Sequence, residues 1–276
     1  MALQLVDDDP GMPVADRRLL FQPIADIRKD PCLLGGVACA LGRMPASGEE
    51  ERSRAVEVFH RASCFVPQVD VFASLTGLTG PSALLHLPWL LSAAEESGIA
   101  LSRLVLDIQG PFPLSPVSAE LVRALDGVRA RGVRISLSRA GLSEEGLEMT
   151  LESRPDYLRI AGALVTGCAS EFYKQAIVES IAELAWKFGA SVIAEGVAGK
   201  RDLALLRQLG VAYALGPLFS QPLETHALGD RLLRGSLPLE LPPMAVARPH
   251  DGTAPLPRTA AAQLPRGAGL RQQEHP

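Results

Sequence analysis

The sequence has few of the features that mark several common classes of protein. Its four cysteines among 276 residues (Cys32, Cys39, Cys64 and Cys168) form no CxxC pair, so neither a zinc site nor a disulfide framework is indicated. The net charge is -4, and no Lys/Arg stripe is interleaved with aromatic residues. We therefore interpret the cysteines as reduced thiols and expect no nucleic-acid polymer as a partner.

Long apolar segments are also missing. No 18-residue apolar run occurs, and residues 1–18 are acidic where a signal peptide would be basic and then apolar. Neither a GxGxxG nor a P-loop sequence follows an early strand, which argues against an open nucleotide-binding sheet. We expect a cytoplasmic protein without membrane insertion.

Composition divides the chain into three parts. Residues 1–17 are acidic and contain Pro and Gly, which predicts a loose N-terminal arm. Residues 18–236 carry the periodic apolar segments, and the hydrophobic content of 47% is ample for a large core. Residues 237–276 are rich in Pro, Ala and Gly without periodicity, which predicts a disordered tail.

In the central part, short apolar segments alternate with amphipathic helices. Residues 19–24 and 33–41 are predicted to form a hairpin, and residues 55–62 a short helix. From residue 104 the alternation is regular, and residues 170–188 are predicted to form a long helix. About seven strands separated by helices predict a parallel α/β architecture, and a barrel rather than an open sheet.

One carboxylate, Glu195, stands at the end of an apolar strand segment and just before Gly196. Barrel enzymes place their catalytic groups at this end of their strands. The alternative is that Glu195 has only a structural role in the loop.

Seven short segments, taken in their order along the chain, point to a known family. They are residues 21–24 (FQPI), 38–43 (ACALGR), 104–108 (LVLDI), 132–141 (GVRISLSRAG), 156–160 (DYLRI), 192–197 (VIAEGV) and 216–223 (GPLFSQPL). This order resembles the EAL domain of bacterial signalling proteins, which hydrolyses cyclic di-GMP. The resemblance covers residues 18–224 and implies a TIM-like (β/α) barrel, with a shorter segment after the first strand than the family usually has.

An active EAL domain, by this resemblance, holds two Mg²⁺ or Mn²⁺ ions among acids and an Asn, assisted by a Lys and a Glu. Here the matching positions are mostly substituted: Cys39 for the Glu of the family's name, Ser74 or, as the weaker match, His86 for the Asn, Ser138 and Arg139 for two Asp, Arg159 for the Lys, Ala161 for a later Asp and Leu215 for a late Gln. Only Asp107 and Glu195 remain as carboxylates. Hard dications require oxygen donors, preferably anionic. We therefore predict no metal cofactor and no catalytic residue, and Mg²⁺ or Mn²⁺ would be needed only if this prediction is wrong.

Two positions match residues that contact the nucleotide in the family, Gln22 and Arg43, the latter through a phosphate. Alternatively, Gln22 satisfies a backbone group at the barrel end and Arg43 is solvated. Glu195 is expected to form an ion pair with Arg159 or Arg139, and Asp107 to join the same network.

These observations leave three functions open. The leading hypothesis is a catalytically inactive EAL-like module that acts by protein–protein interaction with an unidentified partner. The alternative is a cyclic di-GMP receptor that does not hydrolyse its ligand, and the third is an active phosphodiesterase. Because members of the family often dimerise through barrel helices, a homodimer is also left open.

Overall fold

The computed structural model describes residues 19–29, 32–43, 49–63, 69–76, 87–110, 117–138 and 144–228. Within these ranges the strands are β1 (Phe21–Asp26), β2 (Leu33–Arg43), β3 (Asp70–Thr76), β4 (Leu104–Gln109), β5 (Arg134–Ser138), β6 (Tyr157–Ile160), β7 (Ser191–Ala194) and β8 (Tyr213–Ala214). The helices are α1 (Glu49–Ser63), α2 (Leu87–Glu96), α3 (Val117–Ala130), α4 (Glu144–Ser153), α5 (Gly162–Val165), α6 (Phe172–Phe188) and α7 (Lys200–Gln208). A 3-10 turn at Leu101–Arg103 leads into β4.

The eight strands of the described ranges close into a barrel in chain order. β1 runs antiparallel to both of its neighbours, β2 and β8, and every other neighbouring pair is parallel. The predicted barrel and its opening hairpin are confirmed. The arm predicted at residues 1–17 and the tail predicted at 237–276 lie outside the described residues and stay predictions.

Side chains alternate between the barrel interior and the layer beneath the helices, as the two-residue period of a strand requires. The interior is filled by a small apolar cluster: Ile24, Ala38, Phe72, Val105, Tyr157, Ile193 and Leu215, with Tyr213 packed against it. A larger cluster, which includes Leu104, Leu106 and Ile108 of β4, joins the outside of the barrel to the helices. Polar side chains that follow the inner cluster along the strands therefore lie at the C-terminal mouth.

Two helices differ from the sequence prediction in their bounds. The predicted helix at residues 55–62 is α1, which extends over Glu49–Ser63 because the charged residues before it continue the helix. Such residues favour a helix without adding to the apolar periodicity from which the bounds were read. The helix predicted at residues 170–188 begins at Phe172.

The loops that follow β7 and β8 are packed together at the mouth. A Cβ atom at Gly216 would lie 2.3 Å from the Val197 nitrogen, so only glycine fits there. Gly196 has a φ of 69° and approaches Gly162, where a Cβ would lie 3.2 Å from the Cα atom. These close approaches fix the backbone immediately after Glu195.

Candidate functional site

Asp107 is the centre of a polar cluster inside the barrel mouth. It is fully buried on β4, and its Oδ1 atom accepts hydrogen bonds from Ser136 at 2.7 Å and Ser138 at 3.0 Å. Its Oδ2 atom accepts hydrogen bonds from Ser74 at 2.9 Å and from the Nη1 of Arg159 at 2.5 Å. The hydroxyl of Ser138 also lies 3.2 Å from this Oδ2 atom. A carboxylate offers about four lone-pair sites. Four donor groups therefore use the hydrogen-bonding capacity of Asp107.

The strand register explains why these residues meet. Ser74, Asp107 and Ser136 occupy matched positions on β3, β4 and β5, and Ser138 is matched with Arg159 on β6. Because matched residues of parallel strands project to the same face, all five side chains point inward. The two serines of β5 are two residues apart, which places both on that face.

Arg159 joins Asp107 to Glu195, which follows β7. The Nε atom of Arg159 lies 2.7 Å from Glu195 Oε1, but without the alignment of a hydrogen bond, so the contact is an ion pair. The side chain of Arg159 is 3% exposed and that of Glu195 is 21% exposed. The predicted ion pair between Glu195 and Arg159 is confirmed, and so is the place of Asp107 in the same network. The three charged groups carry a net charge of -1.

The surroundings keep Arg159 in its charged form. Burial by itself would lower the pKa of Arg159, but the charges of Asp107 and Glu195 outweigh that effect and raise the pKa above its usual value. The cluster therefore contains a permanent internal cation between its two carboxylates.

Gln22 makes the backbone contact that its structural interpretation predicts. The residue is 1% exposed, and its Nε2 donates a hydrogen bond of 2.8 Å to the carbonyl oxygen of Ser220. Next to it, Phe21 exchanges two backbone hydrogen bonds with Leu223, so the segment after β8 is hydrogen-bonded to β1. Arg43 ends β2 beside Thr76 of β3, and its side chain lies outside the described part of the structure.

Cys39 does not join the cluster. Ala38 belongs to the inner cluster, whereas Cys39 packs in the outer layer and its Sγ contacts the carbonyl oxygen of Phe72 at 3.6 Å. A bulge after Ala40 shifts the register of β2, and the position matched with Ser74 is Ala40. Burial raises the pKa of the Cys39 thiol to about 12, so it is neutral and no metal-binding thiolate.

The remaining sequence candidates divide between described and undescribed positions. Arg139 and His86 lie outside the described residues. Leu215 is a fully buried member of the inner cluster, and Ala161 precedes α5 without offering a polar side chain. Sequence reasoning missed Ser136, although its alternation with Ser138 on a predicted strand was a sufficient signal.

The described residues do not fit a pair of hard dications. Among them, no group of three or more His, Cys, Asp or Glu side chains is placed to hold a metal ion. The oxygens of Asp107 are already engaged by four donors, and one of these is a cation. Neutral hydroxyls from Ser74 and Ser138 do not supply the anionic donors that Mg²⁺ prefers.

The fold and the site define a (β/α) barrel with a charged constellation at its C-terminal mouth, where barrel enzymes carry their chemistry. Residues 66–222 match the model of the EAL domain family. This match covers more than half of the chain, so the chain belongs to the EAL domain family. The match begins after β2, which carries the segment that resembles the family's name motif.

Three similar proteins show how this chain compares with known ones. The chain is 29% identical over 119 residues to the probable cyclic di-GMP phosphodiesterase PdeG of Escherichia coli K12, a match to 43% of this chain and 23% of that protein. The EAL domain of Mycobacterium smegmatis DcpA superposes with a TM-score of 0.66 at 20% identity, covering 82% of this chain and all of that one. Klebsiella pneumoniae BlrP1, in a complex with manganese and cyclic di-GMP, gives 0.61 at 21% identity, covering 77% of this chain and 57% of that one. The likeness to the solved structures shows the shared fold, and the match to PdeG spans less than a quarter of that protein.

No helix within the described ranges is both long and apolar enough to cross a membrane.

Proposed function

We propose that this chain is a catalytically inactive EAL domain that serves cyclic di-GMP signalling as a protein-interaction module. The observation that carries the proposal is the buried ion triad, in which Arg159 stands between Asp107 and Glu195. Only these two carboxylates remain from the metal-binding acids that the family resemblance implies, and both are committed to an internal cation.

Electrostatic repulsion supports the proposal that no metal ion binds at this position. A dication about 4 Å from a guanidinium is repelled by roughly 8 kcal/mol at an effective dielectric constant of 20. If a metal ion displaced Arg159 instead, this buried cation would lose its two carboxylate partners, which costs about 3–5 kcal/mol. A metal-activated water, the nucleophile of two-metal hydrolases, has no support from these residues.

The second candidate is a receptor that binds cyclic di-GMP without hydrolysing it. BlrP1 binds this dinucleotide on the same fold, and Arg43 of this chain ends β2 at the mouth, where a guanidinium suits a phosphate. Against it, Gln22 is buried and its amide is engaged by the Ser220 carbonyl. We therefore favour the catalytically inactive protein-interaction module over the cyclic di-GMP receptor.

Two measurements on the purified chain separate these functions. Incubation with cyclic di-GMP and either Mg²⁺ or Mn²⁺ at high protein concentration is expected to give no linear dinucleotide. Product formation that Glu195→Ala abolishes would show an active phosphodiesterase and overturn the proposal. Calorimetry with cyclic di-GMP is expected to show no binding at micromolar concentration; micromolar or tighter binding without hydrolysis would establish the receptor.

A further inference from the structure

Arg207, on the last turn of α7, is a second buried arginine, and its hydrogen bonds are incomplete. Only 8% of the residue is exposed. Its Nη2 donates to the carbonyl oxygen of Lys29, in the turn between β1 and β2, at 3.3 Å. Its Nε and Nη1 atoms are buried and have no hydrogen-bond acceptor among the described residues. Buried guanidinium nitrogens are normally satisfied, so an acceptor is missing from the part of the chain that the structure describes.

The missing acceptor must also balance charge. No carboxylate of the described ranges forms an ion pair with Arg207 or with the exposed Lys29. Asp26, the carboxylate on the adjoining strand, is bound by Arg28 through both oxygens. Water would supply acceptors for Arg207 but no negative charge, and the charge of the buried guanidinium would stay uncompensated.

We propose that Arg207 and the turn at Lys29 form a binding site for a small oxyanion, of the phosphate or carboxylate type. Planar guanidinium donors match the oxygens of such groups. Ile27 donates a backbone hydrogen bond to Ala212, just before β8, so the site lies at the N-terminal end of the parallel strands. It is therefore at the opposite end of the barrel from the Asp107 cluster and independent of the proposed function.

Thermal unfolding of the complete chain tests this site with inorganic phosphate, sulfate and acetate as probes, against chloride at equal pH and ionic strength. At ten times its dissociation constant, a bound oxyanion is expected to raise the melting temperature by about 3–6 °C. A response to phosphate and sulfate alone identifies a phosphate-type ligand, and an equal response to acetate identifies a carboxylate. The absence of any response in the wild-type chain overturns the proposal.

Variants on one helix separate the site from general salt effects. Arg207→Met replaces a buried charge by an apolar chain of similar length, so it is expected to fold, to melt in chloride at the wild-type temperature or above it, and to lose the phosphate response. Arg201, exposed on the same helix, is the matched control, and Arg201→Met should keep the response. A response that survives in Arg207→Met overturns the proposal.

A third variant asks whether the chain provides its own anion. Asp30 follows Lys29 in the sequence and lies outside the described residues. If Asp30→Asn lowers the melting temperature in chloride and creates a phosphate response that the wild type lacks, Asp30 is the acceptor and the proposal is wrong. A wild-type response that is unchanged in Asp30→Asn supports it.

Discussion

Two buried arginines at opposite ends of the barrel differ in what surrounds them. Arg159, at the mouth, contacts two carboxylates, and one of these is held by three serine hydroxyls as well. Arg207, at the other end, has one carbonyl acceptor among the described residues and no ion pair. Burial alone therefore does not define the role of an arginine in this fold.

The two sites differ in how the charge of the buried arginine is compensated. At the mouth, the charges of the guanidinium and the carboxylates compensate one another. Removing any one of these groups leaves an unpaired buried charge, which lowers the free energy of unfolding. At the far end, removing Arg207 breaks one long hydrogen bond and relieves an uncompensated charge. The mouth is thus a closed structural unit, whereas at the far end two guanidinium nitrogens lack an acceptor among the described residues, which is the basis of the proposed anion site.

The largest effect is expected for Arg159→Met. It leaves Asp107 and Glu195 without their cation, one of them fully buried, and should lower the free energy of unfolding by about 3–5 kcal/mol. Urea denaturation measures this change.

Its matched control is Arg159→Lys, which keeps the charge but cannot reach both carboxylates with one planar group. We expect it to be destabilised less than Arg159→Met. If Arg159→Met is instead as stable as the wild type, the triad is not a structural unit and the contrast with Arg207 disappears.

Cys39→Glu tests the register of β2. It restores the acid that the name motif of the family carries, but the structure places that side chain in the outer apolar layer. An unpaired carboxylate there is expected to cost about 3 kcal/mol or more and to create no manganese binding. Urea denaturation and manganese titration measure the two effects. Wild-type stability together with manganese binding would mean that residue 39 faces the mouth.

A smaller effect is expected for Ser136→Ala. This change removes one of the donors to Asp107 Oδ1 and leaves Ser138 in place, which should cost about 1.5–3 kcal/mol because the acceptor is charged. Ser180→Ala is a matched control, since that hydroxyl bonds only a carbonyl on the exposed side of α6. If both variants lost the same free energy of unfolding, the hydrogen bond from Ser136 to Asp107 would contribute no more stability than an exposed one.

The fold was predictable because its signals are short-range and ordered. Alternating strands and helices, and seven segments in the family's sequence order, sufficed for the barrel. An ion pair of Glu195 with Arg159 or Arg139, with Asp107 in the same network, also followed from strand ends that converge at one mouth, and the structure shows Arg159 as the partner. The bounds of α1 did not follow, because its first charged turn carries no apolar period.

Parts of the site could not be predicted from the sequence. Cys39 is matched with Ala73 and faces the outer layer, whereas its neighbour Ala40 is matched with Ser74, and a motif comparison that is off by one residue assigns the wrong face. The contact of Arg207 with the Lys29 carbonyl joins residues 178 positions apart, and no motif marks either of them.

The smallest effect, and the one that links the two ends of the comparison, is expected for Asp26→Asn. Burial by itself would raise the pKa of Asp26, but its hydrogen bonds and ion pair with Arg28 outweigh this and hold the pKa below its usual value. A lowered pKa in the folded state stabilises the protein above the unfolded value of about 3.9, and this contribution is lost as the pH falls through the folded value.

Because Arg28 is half exposed, we expect Asp26→Asn to lose only about 0.5–1 kcal/mol at pH 7, and to differ less from the wild type in urea denaturation as the pH is lowered below about 4. The substitution also removes a negative charge beside Lys29, so it should strengthen the phosphate response of the wild-type Arg207 site. Asp126→Asn, at an exposed pair on α3, should leave that response unchanged. A weaker phosphate response in Asp26→Asn would mean that the charge around Arg207 is not what attracts the anion.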